Sequence, residues 1–191
     1  MRCISCHKLS LNTFCSQCQI KLLKPSITKR KIGSLEVYSF FKYQNIEDLL
    51  LTKHTSQGFI IYKALAKITF RPFIKNFISN NSQKIYIIGV DEVVKNGYSH
   101  VALLTHQMRY KNVEVLHNKL IAQNRIKYAG KTLEYRLSNP RDFVYNSISN
   151  IEVILVDDIV TTGLTLQEAE TILNKNGIVV LFALTLADAK A

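Results

Sequence analysis

The sequence predicts an α/β domain built on a parallel sheet, preceded by a small module organised by four cysteines. Three observations predict this. From residue 35 onward, short apolar runs rich in β-branched residues alternate with helix-like segments, the pattern of strands joined by crossover helices. All four cysteines fall within the first eighteen residues. At 191 residues with 47% hydrophobic content, the chain can bury a sizeable core in one domain and still carry an appendage. The expected division is a module with a basic tail over residues 1–31 and the α/β domain over 32–191.

In the module, Cys3-x-x-Cys6 and Cys15-x-x-Cys18 form two CxxC pairs separated by eight residues. Each pair offers two thiolates to an ion from one side, and two pairs complete the tetrahedron of a closed structural Zn²⁺ site. The spacer is shorter than the roughly 15–20 residues of common zinc ribbons, which predicts a compact pair of knuckles. Redox CxxC chemistry and an iron–sulfur cluster are the alternatives. A thioredoxin-like redox site needs a βαβ context that this stretch is too short to supply. His7 follows Cys6 directly and is expected to be a solvent-exposed neighbour.

The elements of the larger domain follow in order. LEVYSFFKY (35–43) has the β-branched and aromatic content of a strand, and Asn45 opens a helix through IEDLLLTK. Residues 60–79 read as helix, broken or kinked at Pro72. KIYIIGV (84–90) is a buried strand, YSHVALLTHQM (98–108) a helix and VEVLHN (113–118) a further strand. His100, His106 and His117 have no ligand spacing and read as surface or packing residues. The polar, basic stretch 119–150 gives no element. A strand over 151–156, a helix over about 165–175, Gly177 as its stop and a strand over 178–184 complete the chain.

Val153 to Thr165 reads VILVDDIVTTGLT. In an open parallel sheet, ligands sit beyond the carboxyl ends of strands, where Asp157 and Asp158 fall. Two adjacent carboxylates there repel unless donors or a cation compensate them. Thr161, Thr162, Gly163 and Thr165 then supply hydroxyls, backbone N–H groups and a close approach just before a helix, which makes an anion cradle. Acids beside a phosphate cradle suit a ligand with vicinal hydroxyls and a phosphate a few atoms away, the shape of a ribose 5-phosphate. The chain has no G-x-x-x-x-G-K-S/T and no G-x-G-x-x-G, so neither a P-loop nor a dinucleotide fingerprint is present. The alternative is that Thr165-Leu-Gln-Glu168 is merely a capping box, which leaves both acids unexplained.

This stretch resembles the phosphoribosyl pyrophosphate (PRPP) loop of type I phosphoribosyltransferases. Together with the double CxxC, NGYSH (96–100) and YAGKTLEYRLSN (128–139), the chain resembles the ComF family of competence-associated proteins over nearly its full length. The resemblance implies a phosphoribosyltransferase type I fold behind a four-cysteine zinc finger. It implies that Asp157 and Asp158 hold the ribose hydroxyls, directly or through Mg²⁺. It also implies that Val160, Thr161, Thr162, Gly163, Leu164 and Thr165 form the phosphate loop. In such a transferase the anomeric carbon becomes oxocarbenium-like as pyrophosphate leaves, and the acids would stabilise that charge. Lys95, the only cation in the loop after the 84–90 strand, would lie on the pyrophosphate side. The family's Arg-Gly-Phe-Asn-Gln is here Asn96-Gly97-Tyr98-Ser99-His100, while its R-x-x-N element matches Arg136 and Asn139.

The net charge of +11 predicts attraction to polyanions. Residues 1–31 carry seven basic residues and no acid, and residues 95–142 carry nine against Glu114, Glu134 and Asp142. Lys29, Arg30 and Lys31, with Arg125, Lys127, Tyr128 and Lys131, are candidate contacts to single-stranded nucleic acid, through backbone neutralisation and base stacking. A hood over the active site is the alternative use of the second cluster. By the resemblance, single-stranded DNA and competence-machinery proteins at the inner face of the cytoplasmic membrane are the expected partners. The longest apolar runs fall short of the roughly 20 residues that cross a bilayer, and the start has no secretory h-region. A cytoplasmic protein without a transmembrane segment is expected.

Overall fold

A computed structural model describes residues 2–79, 83–90, 94, 97–124 and 130–191. In chain order the elements are α1 (Ser16–Leu22), β1 (Thr28–Ile32), β2 (Leu35–Lys42), α2 (Tyr43–Leu50) and a 3₁₀ turn (Leu51–His54). Then come α3 (Ser56–Ile68), α4 (Phe70–Ser79), β3 (Ile85–Gly89), α5 (His100–His106), β4 (Val113–Leu116) and β5 (Leu120–Ala122). The chain ends with α6 (Leu133–Ser138), β6 (Phe143–Tyr145), β7 (Glu152–Val160), α7 (Leu164–Lys175) and β8 (Val179–Asp188).

Six strands form one sheet in the order β1-β2-β8-β7-β3-β4. All neighbours pair in parallel except β1, which runs antiparallel to β2 at the edge. β5 and β6 form a separate antiparallel pair. The architecture is therefore mixed α/β with a mostly parallel sheet, as the alternating pattern predicts.

Each face of the sheet carries its own core, because successive strand residues point to opposite sides. In β7, Ile154 and Val156 join a cluster with Leu65 of α3, Ile74 of α4 and Val101 of α5. Val153 and Leu155 join the opposite cluster with Leu166, Ala169 and Leu173 of α7 and with Leu120 and Phe143 of the β5–β6 pair. Burying a side chain of this size is worth roughly 1.5–3 kcal/mol. The N-terminal module shares the first core: Phe14 and Leu23 lie within it, and the Ser26 N–H donates to the Phe40 carbonyl at 2.9 Å.

Three sequence expectations are refined. Residues 28–31, assigned to the basic tail, belong to β1, so the expected boundary after residue 31 falls inside a strand of the main sheet. The break in the 60–79 run lies at Thr69 rather than Pro72: Thr69 ends α3 with φ −117° and ψ −77°. Pro72 sits in the first turn of α4, where a missing N–H leaves no bond unmade. The unassigned stretch 119–150 holds β5, α6 and β6.

The 3₁₀ turn meets α3 at Gly58. A Cβ there would collide with the Thr52 carbonyl and press on the Tyr98 hydroxyl. The Gly58→Ala variant should lose about 1–3 kcal/mol of stability, read as a drop of roughly 2–4 °C in Tm per kcal/mol for a chain of this size.

Candidate functional site

The chain leaves β3 for α5 and β4 on one side, and leaves β7 for α7 and β8 on the other. α5 packs on one face of the sheet and α7 on the opposite face. The carboxyl ends of β3 and β7, neighbours in the sheet, therefore flank a crevice of the kind where α/β sheets bind ligands. VDDIVTTG lies on its β7 side.

Alternation along β7 separates the two acids. Asp158 continues the row of Ile154 and Val156, and Asp157 that of Val153 and Leu155. Asp158 is buried, with its Oδ2 3.1 Å from Lys53 Nζ and 3.3 Å from His100 Nε2. Its Oδ1 accepts from the Ile159 N–H at 2.8 Å. Burial alone would raise this carboxyl. Lys53 and His100, 3.1 and 3.3 Å from its Oδ2, outweigh this and hold Asp158 well below the usual carboxylate range. Asp157 is half-buried and its Oδ1 accepts from the Asp158 N–H at 2.8 Å. His100, expected among surface or packing residues, is instead buried beside Asp158, with the rings of His54 and Tyr62 edge-on to it. Burial pushes the Tyr62 phenol far upward, and the negative charge of Asp158 adds to this. Its hydroxyl thus stays protonated and donates to the Leu50 carbonyl at 3.3 Å.

Val160 is buried, and the half-buried Thr161 and Thr162 lead to Gly163, which caps α7 in the left-handed region at φ 86°. The capping-box alternative is corrected here: Leu164 begins the helix and Thr165 lies in its first turn. Glu168 Oε2 accepts from the Arg141 N–H at 2.7 Å. No side chain caps α7, so its first N–H groups face the loop with the positive end of the helix dipole behind them. A Cβ at Gly163 would strike Ile32 of β1, so glycine is required by both conformation and space.

Two arginines meet at Thr161. Arg136 Nη1 on α6 donates to Thr161 Oγ1 at 2.9 Å. Arg30 Nη2 on β1 donates to the Thr161 carbonyl at 2.7 Å, while its Nε lies 3.0 Å from Asp188 Oδ2. Arg30, read from sequence as a nucleic-acid contact, is turned inward to brace this loop. Lys29 and Lys31 are exposed on the same strand, Lys29 paired with Glu36 at 2.7 Å and lying over the Tyr38 ring. Lys131 is exposed and lies over the Tyr135 ring at 5.0 Å. Lys95, Arg125, Lys127 and Tyr128 fall outside the described residues.

The four cysteine sulfurs all lie within 4.8 Å of one another, with Cys6 and Cys15 at 3.6 Å. Tetrahedral Zn–S bonds of about 2.3 Å place sulfurs roughly 3.8 Å apart, so the donor set fits such an ion. Among the described residues this is the only group of three or more His, Cys, Asp or Glu side chains close enough to share a metal. Burial raises the Cys3 thiol, but the backbone N–H groups of Cys15, Cys6 and Ser5 draw it down to about 6. The Ser5 hydroxyl lowers Cys18, whereas burial and the other three cysteines push it up to about 12. One thiolate is thus favoured and a full set repels itself, which a bound cation relieves.

Lys53, His100 and Asp188 were not legible as site residues, and Arg136 was marked by the R-x-x-N resemblance and by its place in the second basic stretch. Because the folded-state pKa of Asp158 is depressed, its stabilising contribution is complete above the ordinary value of 3.8 and is lost as pH falls below it. The resistance of the wild type to chemical unfolding should fall progressively below about pH 4. The Asp158→Asn variant should lack that component of the pH profile.

No protein-family model matches the sequence, and no curated protein matches it. Among solved structures, the chain is similar to a hypoxanthine phosphoribosyltransferase from Staphylococcus aureus, at 15% identity and a TM-score of 0.40, covering 66% of this chain and 62% of that one. It is also similar to an adenine phosphoribosyltransferase, at 15% identity and a TM-score of 0.45, covering 91% of this chain and 89% of that one.

Proposed function

We propose that the chain binds PRPP with Mg²⁺ at the crevice between β3 and β7. The observation that carries this is the conjunction at the end of β7: adjacent acids, then threonine hydroxyls and a left-handed Gly163 opening directly onto the uncapped start of α7. The 5-phosphate would be held by the hydroxyls and N–H groups of residues 161–165. Arg136, bonded to Thr161 Oγ1, would bring a positive charge to the same cradle. The acids at the end of β7 give the crevice its acidic side, with the half-buried Asp157 toward the ribose hydroxyls. Mg²⁺, when bound, neutralises pyrophosphate and so eases its departure. Asp157 would face the positive charge that develops at the anomeric carbon.

The resemblance to the ComF family extends this reading to the handling of incoming single-stranded DNA during natural transformation, with competence proteins at the inner face of the cytoplasmic membrane as partners. The exposed Lys29, Lys31 and Lys131, within the two basic regions, support a polyanion contact. No helix among the described residues is long and apolar enough to cross a membrane, so membrane contact would be peripheral. We assign structural Zn²⁺ to Cys3, Cys6, Cys15 and Cys18, with the ion ordering knuckles that rest on the main core through Phe14.

Calorimetry should show Mg·PRPP binding to the wild type, weakened at least about tenfold by Gly163→Val, whose Cβ would strike Ile32 and strain the left-handed turn that forms the cradle. The Asp157→Asn/Asp158→Asn double variant should bind no PRPP. A wild type that ignores PRPP removes the proposal, and pyrophosphate release with a free base as acceptor would redirect it to metabolic transfer. Single-strand affinity should fall with salt, with a log-log slope made shallower by about 0.7 for each phosphate-contacting lysine among Lys29, Lys31 and Lys131 replaced by Ala. A slope near zero in the wild type removes the DNA contact.

A further inference from the structure

The two acids at the end of β7 have different surroundings, and this difference deepens the PRPP reading. Both oxygens of Asp158 are already engaged by the protein: Oδ1 by the Ile159 N–H at 2.8 Å, Oδ2 by Lys53 at 3.1 Å and His100 at 3.3 Å. Its side chain is 7% exposed, and that of His100 is 5% exposed. The Ile159 N–H, Lys53 and His100 occupy most of the acceptor positions of this buried carboxylate, and a sugar hydroxyl that displaced Lys53 would leave the charge without its closest partner. Asp157 lies on the opposite face and is half-buried.

The partners of Asp158 are themselves held. Lys53 sits in the 3₁₀ turn, whose Lys53 and Thr55 carbonyls both face the Tyr98 hydroxyl, at 2.6 and 2.9 Å. The turn closes on itself through the Thr55 N–H, which donates to the Thr52 carbonyl at 2.8 Å. His100 opens α5 directly after Ser99, whose hydroxyl accepts from the Ala102 N–H at 3.1 Å. Three segments distant in sequence thus converge on one carboxylate: the turn before α3, the segment that follows the β3 loop, and the end of β7.

We infer that Asp158 is a positioning residue rather than a sugar ligand: with Lys53 and His100 it forms a buried ion cluster that locks the two walls of the crevice together, and Asp157 is the acid that meets the ribose diol. The first half stands on the geometry of the protein alone. The second half rests on the PRPP reading.

The test combines thermal unfolding without ligand and Mg·PRPP calorimetry on Asp157→Asn, Asp158→Asn, Lys53→Met and the Lys53→Met/Asp158→Asn double variant. Lys53→Met, which leaves the carboxylate without its ammonium partner, should lower the melting midpoint by about 10 °C. The double variant, in which charge and partner are both gone, should recover at least half of that loss. A merely space-filling role for Lys53 would give no recovery. Asp157→Asn should keep the wild-type midpoint and lose at least about tenfold in PRPP affinity, whereas the double variant should lose less than about threefold. A double variant that melts no higher than Lys53→Met overturns the ion cluster. A double variant as weak toward PRPP as Asp157→Asn overturns the division of labour between the acids. If the wild type does not bind PRPP, the functional reading falls, while the melting comparison still decides the cluster.

Discussion

The site follows from how the chain leaves two neighbouring strands. After β3 it turns to one face of the sheet and after β7 to the other, so neither α5 nor α7 covers the ends of both strands. The opening between them must be satisfied by something polar, because backbone N–H and carbonyl groups at strand ends have no further ladder to join. The sequence places carboxylates, threonines and a glycine there. The Gly163 conformation then turns the chain so that α7 begins with its N–H groups directed at the same space.

Electrostatics sort the groups around this opening. Asp158 carries a negative charge inside the protein because Lys53 and His100 surround it. Arg30 and Asp188 form a second, largely buried pair on the other side of the loop, and Arg30 extends from that pair to the Thr161 carbonyl. Thr161 is thereby braced through its carbonyl by Arg30 and approached through its hydroxyl by Arg136. A loop held from two directions keeps little conformational freedom, the condition of a preorganised site.

The strand–acid–acid–Thr–Thr–Gly order and the paired CxxC turns were legible because each is local: spacing alone places the groups together. The parallel sheet was legible from apolar runs, which reflect burial on both faces. What escaped notice depends on contacts between distant segments. β1 reads as a charge run because it is an edge strand whose Lys29 and Lys31 face solvent, leaving Ile32 as its one buried residue. Nothing near Lys53 or His100 announces a carboxylate more than fifty residues away in the chain. The helix break at Thr69 rather than Pro72 reflects the tolerance of a helix start for proline. β5 and β6 are three-residue strands in polar surroundings and carry too short an alternation to register.

The antiparallel edge strand has a practical corollary. β1 covers the hydrogen-bonding edge of β2 from Leu35 to Ser39, and it also supplies Arg30 to the loop and Ile32 to the space beside Gly163. A shortened chain beginning at residue 32 would leave the apolar β2 as a bare margin, open to sheet-to-sheet association with other copies. It would also strip a brace from the Thr161 loop, so trimming the polypeptide to its larger α/β portion would yield sticky material with a slackened crevice.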